Sequence, residues 1–148
     1  MHLQIAYISP RRELKAAGAR ALVDEYLKRS QRFAPVTLTS YRDEAALIAA
    51  LARRPAAHLV LLDSRGRSLT SPGFAEYLGQ QRDAGTQEMV LAIGPPDGWS
   101  AALLARARLR LSFGEITLPH ELALVVLTEQ VYRGLTILAK HPYHGGHE

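Results

Sequence analysis

Apolar positions along this chain switch repeatedly between two periods. Residues 3–9 (LQIAYIS) carry the apolar run of a strand, whereas 14–29 place Leu14, Ala17, Ala21, Leu22 and Tyr26 close to a 3.6-residue repeat, which predicts a helix. Residues 36–41 alternate as a strand does, and 44–53 return to the helical period before Pro55. A strand predicted over 58–63 contains the unbroken run 59–62, the mark of a strand covered on both faces. Ser71 followed by Pro72 predicts a helix start with Ser71 as N-cap, ending near Gly85. A second fully buried strand follows at 88–93, a short helix capped by Ser100, a strand at 109–113 and the longest helix at 121–138. Strands alternating with helices imply an α/β fold with a parallel sheet.

That last helix is apolar on nearly every side, through Leu122, Leu124, Val125, Val126, Leu127, Val131, Leu135, Ile137 and Leu138. A helix of this kind is covered on more than one face. In a chain of 148 residues the expected second cover is another subunit. The length suits a single domain over 1–148, and no repeat, low-complexity segment or linker divides it.

Composition narrows the class. Cysteine is absent, which excludes a disulfide framework, a thiolate metal site and a cysteine nucleophile. The N-terminal apolar run is too short for a secretory signal, and no stretch approaches the roughly 18 apolar residues of a membrane span. A soluble, cytoplasmic protein is expected. The net charge of +4 is unevenly placed: residues 1–58 hold ten Arg and Lys against five acids, a balance of +5. A basic first half suits either a polyanionic partner or a solvated helix surface.

Ligands of parallel sheets sit outside the C-terminal ends of the strands, which selects the loops after Asp63, Ile93 and Phe113. No dinucleotide fingerprint follows the first strand, which runs into Ser9-Pro10-Arg11-Arg12, and no Gly-Lys-Ser/Thr loop occurs anywhere. The loop Gly94-Pro95-Pro96-Asp97-Gly98 is suited to exposing backbone to a ligand, or to a plain turn. His120 follows Pro119 at a helix start and is a possible cap. His141, His144 and His147 recur every third residue. The Gly-Gly spacer and the lack of acidic or Cys co-ligands favour a mobile tail over a metal site, so no metal is expected.

Five motifs occur in order: Leu61-Leu62-Asp63 with Gly66 and Ser71; Ile93-Gly94 with Pro96 and Gly98; Thr117-Leu118-Pro119-His120; Glu129-Gln130-Val131-Tyr132-Arg133; and Pro142-Tyr143-His144. With them the whole chain resembles the SPOUT-class methyltransferases, and more closely the bacterial RlmH family, which methylates N3 of a pseudouridine in large-subunit (23S) ribosomal RNA. The resemblance implies a C-terminal trefoil knot, S-adenosylmethionine as methyl donor and an obligate homodimer acting on ribosomal RNA or the ribosome. It implies a cofactor held against Leu62, Gly94, Phe113, Gly114, Glu115, Ile116, Thr117 and Leu118. Arg133 is the expected stabiliser of negative charge on the base or grip on a phosphate. Tyr143 and His144 are the candidates for orienting the base and taking its proton.

The chain departs from the family twice. Pro95 stands where a second glycine is usual and removes a backbone N–H. The tail continues Gly145-Gly146-His147-Glu148 where family members end on a basic residue. These departures are the best support for another reading, a non-catalytic RNA-binding domain of the same fold; a related SPOUT enzyme acting on transfer RNA is a third.

Overall fold

A computed structural model describes residues 1–11, 13–95 and 97–145, apart from the side chain of His144. Expectations that rest on Pro96, the His144 side chain, His147 or residues 146–148 lie outside the described residues. The elements follow one another as β1 (His2–Ile8), α1 (Ala17–Ser30), β2 (Val36–Tyr41), α2 (Glu44–Ala52), β3 (His58–Ser68), α3 (Ser71–Asp83), β4 (Glu88–Ile93), α4 (Ala101–Arg106), β5 (Leu109–Ser112) and α5 (His120–Leu138). A 3₁₀ turn at Pro142–Gly145 is the last described element. All strand pairs are parallel, in the order β2-β1-β4-β3-β5.

The sheet is covered on both faces, as the apolar runs of its central strands require. Leu3, Ile5 and Tyr7 of β1 with Leu91 and Ile93 of β4 pack against Val23 of α1, Phe74 and Leu78 of α3, and Leu124, Leu127 and Val131 of α5. Ala6, Leu59, Leu61, Val90 and Ala92 face the other way, onto Leu47 and Leu51 of α2 and Leu103 of α4.

Most boundaries fall within a residue or two of the sequence reading; three differences matter here. Thr70, not Ser71, caps α3: its hydroxyl accepts the Gly73 N–H at 3.0 Å. That places Ser71 and Pro72 inside the first turn. Helix α1 starts at Ala17 rather than 14, and its N-cap Ala16 has no capping side chain. The Glu121 carboxylate instead accepts the N–H groups of Lys15 and Ala16 at 2.8 and 3.0 Å. Those two bonds hold Glu121 below the usual carboxylate range. Strand β3 runs past 63 to Ser68, with an irregularity: Leu62 and Arg67 both align with Leu111 of β5. Gly66 lies where the two backbones nearly touch, since a Cβ there would come within 2.6 Å of the Arg110 carbonyl.

The apolar girth of α5 is mostly satisfied inside the chain. Leu124, Val125, Leu127, Val131 and Leu135 are buried in this chain's own core, so the second cover is supplied largely by α1, α3 and the sheet. Leu122, 46% exposed, and the half-buried Val126 and Ile137 remain on the outer stripe. Among the described residues no helix is long and apolar enough to cross a membrane.

Candidate cofactor cavity and docked tail

The C-terminal ends of β3, β4 and β5 open into a cavity of roughly 590 Å³. Leu62, Gly94, Phe113, Gly114, Glu115, Ile116, Thr117 and Leu118 all line it, so the structure brings all eight expected cofactor contacts to one place. Its volume lies within the range of small-molecule sites. The walls are chiefly backbone and apolar side chains, with Asp63, Ser64, Glu115, Thr117 and His120 at the polar positions. Two loops form most of it. Pro95 accepts the Gly98 N–H at 3.0 Å and closes the turn after β4. The buried Ser112 hydroxyl accepts the Gly114 N–H at 3.1 Å, which turns the chain out of β5 into the segment 113–118.

His120 does not cap α5. Its ring nitrogen meets the Ile8 carbonyl at 2.9 Å, and the ring stacks on Tyr7 at 4.6 Å. The start of α5 is thereby tied to the end of β1, on the cavity's rim. Two residues that sequence reasoning missed also shape the site. One is Ser112; the other is Trp99, whose indole N–H donates to the Leu62 carbonyl at 2.8 Å. Trp99 lines the cavity and leaves no room for a side chain at Gly94, where a Cβ would meet the indole at 2.6 Å. The available signal was its place, directly after the Gly94–Gly98 loop, as the only tryptophan.

Arg133 and Tyr143 come together, but away from this cavity. Tyr143 donates its hydroxyl to Glu129 Oε2 at 2.7 Å, and the Arg133 guanidinium lies 5.0 Å from the Tyr143 ring centre. Tyr143 also rests on Tyr132 at 4.6 Å, and Tyr132 on Tyr26 at 5.9 Å. His141 meets the Phe33 ring edge-on at 5.6 Å. The tail as far as Tyr143 is therefore docked on α1 and α5, where a mobile segment with few apolar anchors was expected. Burial, then the bond to Glu129, pushes the Tyr143 phenol well above its ordinary value. In this arrangement Tyr143 is a neutral donor and not a base.

Neither Arg133 nor Tyr143 lines the cavity, whose contacts on α5 are His120 and Ala123. Ten residues of helix separate Ala123 from Arg133, about 15 Å along the axis. A second cavity of roughly 300 Å³ lies between them, bounded by Phe113 and Gly114 on one side and Val126 and Gln130 on the other. From it a chain of hydrogen bonds leads toward the tail. The Ser71 hydroxyl donates to Gln130 at 2.6 Å, and the Gln130 amide donates to Glu129 at 2.7 Å. Among the described residues no group of three His, Asp or Glu side chains is placed to hold a metal ion.

Residues 1–144 match the family described as "Predicted SPOUT methyltransferase". The chain is 46% identical to the ribosomal RNA large subunit methyltransferase H of Koribacter versatilis, over 99% of this chain and 100% of that one. It is 42% identical to the protein of the same name from Deinococcus radiodurans, over 90% and 94% of the two chains. Among solved structures it resembles the SpoU methyltransferase AviRb of Streptomyces viridochromogenes, crystallised with AdoMet, at a TM-score of 0.51 and 15% identity. That likeness covers 89% of this chain and 57% of AviRb, and it concerns the fold. By the family match and by relatives similar over their full length, the chain belongs to the SPOUT methyltransferases, in the family of the large-subunit methyltransferase H proteins.

Proposed function

We propose that the protein transfers a methyl group from S-adenosylmethionine to N3 of a pseudouridine in large-subunit ribosomal RNA, as a single domain over residues 1–148 working in a homodimer. The observation that carries this reading is the convergence of all eight expected cofactor contacts on one cavity of suitable size at the strand ends. The ribosomal substrate rests on the name of the relatives. The pseudouridine N3, the C-terminal knot and the cytoplasmic location rest on the family resemblance. Relatives of that name at nearly full length favour neither a non-catalytic RNA-binding domain nor a transfer RNA enzyme.

The bound cofactor supplies a methyl already activated on a sulfonium, so the protein's tasks are positioning and proton handling. The backbone of 113–118 and Gly94 would hold the donor, with Leu62 and Ile116 against its apolar parts. The imide nitrogen forms its bond to carbon as the sulfur–carbon bond breaks, and the imide proton must leave. Arg133 stabilises the negative charge that develops on the base. Tyr143 orients the base as a neutral phenol whose proton is committed to Glu129, leaving its oxygen to accept. His144 takes the imide proton.

The distance between the cavity and Arg133 supports a site shared by two chains. One protomer's tail and Arg133 would serve the partner's cavity across the stripe of Leu122, Val126 and Ile137. The test incubates purified protein with methyl-labelled S-adenosylmethionine and either ribosomes or free ribosomal RNA, then maps the labelled nucleotide. Label at one pseudouridine of the large-subunit RNA is expected. Absence of label from both substrates overturns the reading.

A further inference from the structure

Trp99 links two strand ends that otherwise meet only through the sheet. Its N–H is committed to the Leu62 carbonyl on β3, and its six-membered ring packs against Gly94 at the end of β4. The ring is half-buried and packed against the apolar cluster of Leu61, Ala92 and Leu103. Its base is fixed as well, because the next residue caps α4: Ser100 accepts the Leu103 N–H at 3.4 Å and donates its own N–H to Glu44 at 3.2 Å. A rigid aromatic plate held at root and tip, forming one wall of the cavity, does more than fill space.

We propose that Trp99 is a positioning residue for the cofactor: it fixes the spacing between the Leu62 and Gly94 backbones and so gauges the cavity for the planar base of an adenine nucleoside. This rests on the proposed methyltransferase reading. It explains two features of the chain together. Gly94 is required because the indole occupies the space of its side chain. Pro95, which costs the loop a backbone donor, is tolerated because the wall is set by Trp99 rather than by a hydrogen bond from that position.

The only tryptophan is also its own reporter. Binding of S-adenosylhomocysteine, the demethylated product of the cofactor, is followed by calorimetry and by selectively excited tryptophan emission. Wild-type emission is expected to shift with the dissociation constant found by calorimetry. Trp99→Phe keeps a ring and loses the bond to Leu62, and should weaken binding about fivefold, the net worth of one hydrogen bond. Trp99→Ala should weaken it by about tenfold or more. The loss should appear in KM for S-adenosylmethionine and not in kcat. Gly94→Ala should weaken binding far less in a Trp99→Leu background than in wild type, because its clash is with the indole. Should wild type bind the product by calorimetry while its emission stays fixed and both Trp99→Phe and Trp99→Ala bind it as tightly, the role of Trp99 is overturned and the methyltransferase reading stands. Absence of product binding to wild type by calorimetry overturns both.

Discussion

Tyr143 and Arg133 share one oxygen. Glu129 Oε2 accepts the Tyr143 hydroxyl at 2.7 Å and two guanidinium nitrogens of Arg133 at 2.9 and 3.1 Å. A single carboxylate, itself steadied by the Gln130 amide, therefore orients two of the three residues assigned to the chemistry. The acid and Arg133 are one helical turn apart, so the pairing is a property of α5. What it recruits is the tail.

Replacing Glu129 with Gln should accordingly disturb both partners at once. Its charged hydrogen bonds are part-buried, and the change is expected to cost about 2 kcal/mol in urea unfolding. Tyr143→Phe, which removes only the hydroxyl, should cost about 1 kcal/mol. Because both changes break the same bond, the double variant should lose less than the two single losses combined. Strict additivity would show that Tyr143 and Glu129 act independently.

How much of this was legible depended on sequence distance. The buried strands were plain in runs such as 59–62, and the cavity followed from asking which loops leave the C-terminal strand ends. What escaped came from contacts between residues far apart in the chain. Helix α1 is held at its start by Glu121, more than one hundred residues away, which no local capping rule can see. The docking of Tyr143 on Tyr132 and Tyr26 likewise joins the two ends of the chain, so a tail with two glycines looked loose. Trp99 was overlooked because its role lies in the carbonyl it reaches, on a different strand.

Stability should also carry a histidine signature. His58 at the start of β3 shares a hydrogen bond with the Tyr77 hydroxyl. Burial first, then the charge of Arg108, lowers His58 from its usual 6.5. The unfolded chain thus takes this proton at a higher pH than the folded one. The stabilisation is complete above about pH 6.5 and is lost as pH falls toward the folded value. Urea unfolding measured from about pH 7.5 down to about pH 5 should show falling stability, and His58→Gln should flatten that fall. An unchanged slope in the variant would assign the acid sensitivity to other groups.

The outer stripe of α5 makes a separable prediction about assembly. Leu122 is 46% exposed whereas Leu135 is 7% exposed, so they report on different events. Leu135→Asp places an unpaired charge in the chain's own core and should cost about 4 kcal/mol, enough to unfold much of the protein. Leu122→Asp should leave the fold intact and split the dimer. Sedimentation of wild type should give twice the 16.3 kDa of one chain, with Leu122→Asp at the single-chain value. Wild type at 16.3 kDa would remove the homodimer and with it the shared site.

The shared site itself is tested by mixing two inactive chains. Truncation after Lys140 removes Tyr143 and His144, and should abolish methylation while leaving product affinity nearly intact, because Tyr143 does not line the cavity. Arg133→Ala should likewise lower activity far more than stability. Arg133 and Tyr143 lie against each other within one protomer, 5.0 Å from guanidinium to ring centre. If that grouping persists in the working enzyme, both serve the same cavity from the same chain. A dimer of one truncated and one Arg133→Ala chain then has two broken sites, and mixing restores nothing. Pairing either inactive chain with wild type should instead retain one intact site per mixed dimer. Recovery of activity on mixing the two inactive chains would mean that Arg133 and the tail reach a given cavity from different chains. The tail would then have to leave Glu129 before methyl transfer, breaking the bond from Tyr143 seen here.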